Sequence, residues 1–437
     1  MARHDGGKQM VTKKEKVRRK ESKTSGSKKR SPASRGAAPA AASSLNGERP
    51  SYIVGMGASA GGLEALETFF RSMPAESGMA FVVVPHLDPG HLSIMTELVQ
   101  KCTKMEVSHI EDGMEVRANK VYVIPPRKDL AILHGVLQLI EPTGAPGPRM
   151  PIDYFFRSLA QDQGERAIAI ILSGMGTDGT VGLRAIKGEL GMAMVQDVST
   201  AKYDGMPRSA VGTGVVDYVL PPGDMPEYLL RYADHAGHKA AAKISPPVEG
   251  KLPDALQKVF LLLRTHTGHD FSFYKPNTLC RRIERRMNVH HIADVTRYVR
   301  YLQENPHEVT SLFKELLIGV TNFFRDPEAF EVLKKNALAE LLATKPSGES
   351  LRAWVPGCSS GEEAYSLAII LRECMDELDR SFDVQIFGTD IDKQAIETAR
   401  AGVYPGSIAA DVSAGRLKRF FTREDPHYRI KKDIREM

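Results

Sequence analysis

No run of about eighteen apolar residues occurs anywhere in the chain, so no segment has the make-up of a bilayer-spanning helix. Cysteine is scarce. The four present, Cys102, Cys280, Cys358 and Cys374, lie far apart and form no CxxC pair. That spacing argues against both disulfides and a zinc site and suits reduced thiols in a cytoplasmic protein; no metal is expected. The first residues lack the apolar core of a secretory signal. Large apolar side chains are also nearly missing from residues 1–50, where fourteen Lys and Arg stand against four Asp and Glu. Such a segment cannot bury enough surface to offset chain entropy, so a disordered basic tail is expected. Its charge would suit a weak contact with nucleic acid or an anionic membrane, but a solvated tail is the plainer expectation, with no specific nucleic-acid partner. The remaining chain holds forty-five basic and fifty acidic side chains, so the net charge of +5 conceals a mildly acidic folded part.

A length of 437 residues implies two to four domains. From Tyr52 onward, short apolar runs recur at Phe81–Val84, Val121–Ile124, Ile168–Leu172 and Met192–Val195. Helix-like patterns such as Leu63–Phe70 and Ser93–Lys101 separate several of them. This alternation predicts an α/β domain over 51–232, with a mainly parallel, doubly wound sheet. A local hairpin is expected around His134-Gly135. Residues 233–250, rich in Ala, Gly, Lys and Pro, read as a linker. Four helix-like stretches (Pro253–Thr265, Thr278–His290, Val295–Gln303 and Glu308–Leu317) predict a small all-helical domain over 251–325. A third domain, 326–437, opens with a helix-like Pro327–Leu342. It continues strand, helix, strand, helix to Ala401, the start of a Rossmann-like fold.

Gly55-Met56-Gly57-Ala58-Ser59-Ala60-Gly61-Gly62 follows a strand and opens a helix. It could cradle a dinucleotide, or it could present Ser59 as a nucleophile at a strand-to-helix corner. The first reading wants an acidic residue at the end of the next strand, but that strand ends in Pro85-His86. A histidine there suits a general base beside Ser59. A third strand, Ile168–Leu172, ends in Ser173-Gly174-Met175-Gly176-Thr177-Asp178-Gly179. Three strand ends thus deliver Ser, His and Asp, the parts of nucleophilic acyl transfer. Taken singly, Ser59 and Asp178 could equally be helix caps. His91, His109, Asp88 and Asp204 hold no comparable position and read as surface or packing residues.

On these three segments, residues 52–232 resemble the catalytic domain of the CheB chemotaxis methylesterase family. The resemblance implies Ser59 as nucleophile, His86 as general base and acid, Asp178 as the residue that orients the histidine, and backbone N–H groups at Ala60 and Met175 around the oxyanion. It implies no cofactor for the esterase. Two departures stand out: Ala60 replaces the threonine usual after the nucleophile, and no receiver domain precedes the esterase.

Trp354-Val355-Pro356-Gly357-Cys358-Ser359-Ser360-Gly361-Glu362-Glu363 is again strand, small-residue loop, helix, and Thr389-Asp390-Ile391-Asp392 ends the next strand. Acidic residues at such a loop suit a cationic sulfonium and repel phosphates, so S-adenosylmethionine fits better than NAD. With Thr321-Asn322-Phe323-Phe324-Arg325-Asp326-Pro327, these motifs make residues 251–437 resemble the CheR methyltransferase family. The resemblance implies S-adenosylmethionine contacts at Thr321, Arg325, Glu362 and Asp390. Gly319 stands where relatives often carry Asn. The helix Cys280–His290 sets Arg281 and Arg285, and Arg282 and Arg286, one turn apart. This is either a stripe for docking an acidic receptor helix or a solvated face. The expected whole is a fused enzyme that demethylates and methylates chemoreceptor glutamates. Its expected partners are the cytoplasmic helices of methyl-accepting receptors and, further afield, sensor kinase modules. The methyltransferase domain reads as truncated at Met437. A non-enzymatic sensory scaffold and an esterase for small esters are the alternatives.

Overall fold

The computed structural model describes residues 49–86, 92–142, 149–237, 254–346, 348–425 and 427–437. All but Arg49 and Pro50 of the basic tail, together with Asp88, His91 and 238–250 of the expected linker, lie outside them.

The first domain is built on β1 (Ile53–Ala58), β2 (Ala80–Pro85), β3 (Glu106–His109), β4 (Met114–Glu115), β5 (Lys120–Val123), β6 (Asp129–Leu133), β7 (Val136–Ile140), β8 (Ala167–Ile171), β9 (Met192–Gln196) and β10 (Tyr218–Leu220). Seven of these form a parallel sheet in the order β10-β9-β8-β1-β2-β5-β3. Its central strands are buried along their whole length, as strands covered on both faces must be. Helices α1 (Gly62–Ser72), α2 (Leu92–Gln100) and α6 (Met225–Gly237) cover one face, where Leu66, Phe69, Phe70 and Leu229 meet Val54, Met56, Phe81 and Val83. On the other face, α3 (Pro151–Gln163), α4 (Thr180–Gly188) and α5 (Gly205–Gly212) bring Phe155, Phe156, Leu183 and Met206 against Ile53, Val82 and Ala169. The hairpin expected at His134-Gly135 is β6–β7, joined by β4 in a small antiparallel sheet. Helix α6 runs to Gly237, five residues past Tyr232.

Four helices follow: α7 (Asp254–Thr267), α8 (Pro276–Val289), α9 (Val295–Glu304) and α10 (Pro306–Leu316), packed around Leu263, Ile283, Tyr298 and Leu312. The stretch predicted as one helix over 327–342 is α11 (Pro327–Val332), a π-helical turn (Leu333–Leu338) and α12 (Ala339–Thr344). Its core-facing residues, Phe330, Leu333, Leu338 and Leu342, contain a five-residue step, and the wider turn keeps both ends on one face. Beyond come β11 (Ser350–Pro356), α13 (Glu362–Glu377), β12 (Asp383–Thr389) and α14 (Lys393–Ala401), with β11 and β12 paired in parallel. One face of this pair packs on α13. The other leaves Trp354 and Phe387, cross-strand partners, 69% and 51% exposed. The chain continues through β13 (Val403–Pro405), α15 (Ala414–Phe420), β14 (Phe421–Glu424), β15 (His427–Ile430) and α16 (Lys432–Arg435), elements not expected from the sequence, in which the three strands form an antiparallel sheet. Strands of three or four residues, broken by Arg, Glu and His, carry little alternation to read.

Candidate functional sites

The strand order reverses at β1, which has β2 on one side and β8 on the other. Ligands gather beyond the carboxyl ends of such strands. Ser59 leaves β1 at this point. Its N–H donates to the Ser173 carbonyl (3.0 Å), its carbonyl accepts from Gly62 N–H (2.9 Å), and its hydroxyl donates to the His86 carbonyl (3.0 Å). The His86 N–H in turn donates to the Ala58 carbonyl (2.7 Å). Serine and histidine are therefore neighbours at adjacent strand ends, with Ser59 only 8% exposed. The imidazole itself is exposed at its rim and has no hydrogen-bond partner among the described residues. Partial desolvation by its surroundings, then the charge of Arg149, lower its pKa below the ordinary 6.5. Gly174 is needed for this crowding, because a Cβ there would fall 2.8 Å from Ser59 Cβ. Met175 stands 60% exposed at the mouth, and Ala60 opens the turn into α1.

Asp178 differs from the expectation. Its buried carboxylate accepts from the N–H groups of Ile152 (3.1 Å), Asp153 (2.9 Å) and Gly179 (2.9 Å). It holds the first turn of α3 and makes no hydrogen bond to His86. An aspartate beside free amide donors at a helix N-terminus is drawn to them before a more distant ring. Burial, then the neighbouring carboxylate of Asp153, push its pKa well up. Asp153 is raised to about 6 by burial, with the Gly182 N–H opposing. His109 bonds Thr96, and Asp204 pairs with Arg208.

The second site is a cleft of about 1100 Å³ whose walls include Thr321, Arg325, Glu362 and Asp390 together. The Asp390 carboxylate accepts from the N–H of Ser359 and of Asp392, both at 2.8 Å, which pins the β11 and β12 loops to each other. Glu362 is buried and bonded by the Ser360 hydroxyl (2.7 Å); its pKa is raised, burial outweighing that bond. Arg325 is exposed and donates to the Val320 carbonyl (2.6 Å). A Cβ on Gly319 would meet Ser359 Oγ at 3.0 Å, so a larger side chain there requires that hydroxyl to turn away.

Residues 54–229 match the model of the CheB methylesterase family. Residues 254–317 match the CheR methyltransferase all-alpha domain, and residues 319–437 the CheR methyltransferase SAM binding domain. The Thermotoga maritima CheB methylesterase catalytic domain, solved by crystallography, is 31% identical, with 41% of this chain covering 97% of that one at a TM-score of 0.39. The chain carries a CheB methylesterase domain followed by the two CheR domains. An uncharacterized 104.1 kDa protein of Rhodobacter capsulatus is 37% identical over 362 residues, 78% of this chain and 38% of that protein. A protein named protein-glutamate methylesterase/protein-glutamine glutaminase 2, from Pseudomonas aeruginosa, is 33% identical over 189 residues, 42% of this chain and 54% of that one. The chain thus spans about two fifths to just over half the length of these curated relatives.

The CheB and CheR parts meet at the arginine helix, and here the sequence reading needs correction. Arg285 and Arg286 do not form a receptor-facing stripe; they are buried. Arg285 bonds the Leu190 and Gly191 carbonyls, Asp217 (3.1 Å) and Glu315 (3.0 Å), while Arg286 bonds Glu308 (2.9 Å). Arg282 reaches the carbonyls of Lys187 and Gly188. Of the four, Arg281 alone stays exposed. The stripe faces the CheB domain because buried carboxylates await it: Lys187 Nζ lies 2.7 Å from Asp217 and 3.0 Å from Glu315. Asp217 is held well below its usual pKa: Arg285 and Lys187 outweigh the burial that would raise it. Several residues that matter here escaped the sequence reading. Arg149, Asp153, Lys187, Asp217 and Glu315 sit in no motif, and only their meeting in space marks them.

Proposed function

We propose that this chain both removes methyl groups from protein glutamates and adds them, through two centres. The observation that carries the first is the Ser59 hydroxyl bonded to the backbone of the very histidine that would serve as its base. The reaction needs each side chain to turn from this arrangement, and catalytic hydrogen bonds commonly tighten only with substrate bound. Ser59 Oγ attacks the ester carbonyl carbon while His86 takes its proton. The backbone N–H groups of Ala60 and Met175 hold the oxyanion. His86 returns the proton to the departing methoxide, releasing methanol, and water then frees the acyl-serine as glutamate. Asp178 enters as the buried carboxylate that steadies the imidazolium once the ring turns inward.

In the CheR part, the residues fit S-adenosylmethionine. Glu362, Asp390 and Asp392 offer negative charge to a sulfonium, and nothing lies within 4 Å of where a Gly357 Cβ would sit, so backbone and cofactor can touch. When bound, that cofactor supplies an activated methyl group. Thr321, Arg325, Glu362 and Asp390 would hold it. The acceptor glutamate is already ionised at neutral pH, so positioning carries most of the work. Methyl-accepting chemoreceptor helices are the proposed substrate for both reactions, in the cytoplasm. Among the described residues no helix is long and apolar enough to cross a membrane.

The test is methanol release from methyl-labelled receptor. Ser59→Ala should abolish it, and undiminished release would remove Ser59 as nucleophile. Asp178→Asn should slow it by roughly 10³–10⁴ if the carboxylate steadies the base. Unchanged turnover would leave Asp178 as a helix cap only.

A further inference from the structure

The methyltransferase cleft is not closed by CheR residues alone. Helix α4 of the CheB domain packs against the CheR loop that carries Thr321, so closely that a Cβ on Gly188 would fall 2.0 Å from Val320 Cγ2. One turn back, Arg184 lines the cleft. A second arginine from the CheB domain, Arg157 on α3, lines it too, but its guanidinium is engaged by Asp411 (2.9 Å), which also accepts from Asn322 (3.2 Å) beside Thr321. Arg184 has no such engagement. It is half-buried, close enough to Glu362 to act on that carboxyl through its charge, and has neither hydrogen bond nor ion pair among the described residues.

An arginine half withdrawn from water with its fork unfilled is poised for a planar anion. The chemistry of the site offers carboxylates. Glu362 accepts from Ser360 and Asp390 from two backbone N–H groups, and neither is bonded to the guanidinium.

We propose that Arg184, a residue of the CheB domain, binds a carboxylate in the CheR cleft, making the methyltransferase site a composite of both domains. This rests on the methyltransferase reading above. Two carboxylates could fill the fork: that of the amino-acid end of the methyl donor, or that of the acceptor glutamate. A CheR half separated from its CheB partner would lack the residue in either case.

The experiment uses the full chain. Binding of S-adenosylhomocysteine and of 5′-methylthioadenosine, which lacks the amino-acid end, is measured by calorimetry for wild type, Arg184→Gln and Arg184→Lys. KM for a glutamate-bearing receptor fragment is measured in parallel, and thermal unfolding confirms that each variant is folded. Loss of a charge-assisted pair should cost at least about tenfold, and lysine should restore part of it. Arg184→Gln weakening S-adenosylhomocysteine but not 5′-methylthioadenosine assigns the donor carboxylate. An unchanged donor affinity with KM raised tenfold assigns the acceptor. If both stay within twofold of wild type while wild type binds and turns over normally, the proposal is overturned and the methyltransferase reading stands. If wild type binds neither nucleoside, the methyltransferase reading fails and takes the proposal with it.

Discussion

Replacing Asp217 by asparagine should destabilise the whole molecule and uncouple its halves. The carboxylate is fully buried. It accepts from Lys187 Nζ (2.7 Å), Arg285 Nη1 (3.1 Å) and the Ala193 N–H (2.9 Å). Lys187 belongs to the CheB domain, and Arg285, Arg286, Glu308 and Glu315 to the helical unit. With Asp217 present, three buried cations face three carboxylates; with asparagine, one cation is left without its partner. Breaking a buried pair in this way costs about 3–5 kcal/mol. At a urea slope near 3 kcal/mol/M, that is a midpoint shift of roughly 1–2 M. Trp354 is the sole tryptophan and lies in the CheR part, so its fluorescence follows that half while far-ultraviolet dichroism follows both. The two curves should coincide in wild type and separate in Asp217→Asn. Removing Lys187 as well, by Lys187→Met, restores the charge balance and should recover much of the loss. Acid should act in the same direction. Against the burial that would raise it, bonds from His290 and Arg286 bring Glu308 from 4.5 down to about 2. A depressed carboxylate stabilises above its unfolded pKa, so this contribution is intact above pH 4.5 and fades as pH falls toward 2. A variant that unfolds at the wild-type urea concentration, both probes superimposed, would refute the account of this interface.

Because burial and Arg149 depress the His86 pKa, the base is free at neutral pH. The rising limb of the esterase pH profile should lie below 6.5, with Arg149→Gln moving it upward; a wild-type limb above 6.5 contradicts this. Trp354 Nε1 donates to Thr389 Oγ1 (3.0 Å), whose residue precedes Asp390, so S-adenosylhomocysteine should alter tryptophan emission saturably. No change at saturating ligand would place the cofactor elsewhere. Asp153 has its pKa raised from 3.8 to about 6, so its stabilising share is full below 3.8 and lost as pH climbs through 6. Asp153→Asn should therefore flatten that dependence and gain up to about 3 kcal/mol at pH 8; a variant less stable than wild type at pH 8 counts against it.

What the sequence disclosed follows from how local each signal is. β1, β2 and β8 announce themselves because strands buried on both faces must be apolar throughout, and the loops after them because small residues are needed where backbones crowd, as Gly174 does against Ser59. The meeting of Ser59 with His86 could be anticipated from strand ends; that of Thr321, Arg325, Glu362 and Asp390 around one cleft was implied only by the resemblance to the CheR family. The fate of Asp178 could not, since the amide donors it meets belong to α3, some twenty-five residues earlier. The arginine helix misled for the same reason. Spacing on α8 shows which arginines share a face, but whether that face meets water or Asp217 is decided by segments far away in the chain.

Joining the two proposed, opposed activities on one chain could be explained by local concentration alone, which needs only a tether. The interface argues for more than that. A tethered pair has no reason to bury Lys187 against Glu315, or to place Arg285 beneath the carbonyls of Leu190 and Gly191, because each half alone would have to shed or neutralise those charges. Helix α4 makes the connection concrete. It starts two residues after Asp178, on the loop beyond β8, presents Arg184 to the cleft of the CheR part and ends at Lys187 and Gly188 in the interface. Nine residues, about 13 Å of helix, span all three. The halves are therefore parts of one folded unit: without the CheB domain Arg285 would lose Asp217 and the Leu190 and Gly191 carbonyls, and without the helical unit Lys187 would lose Glu315.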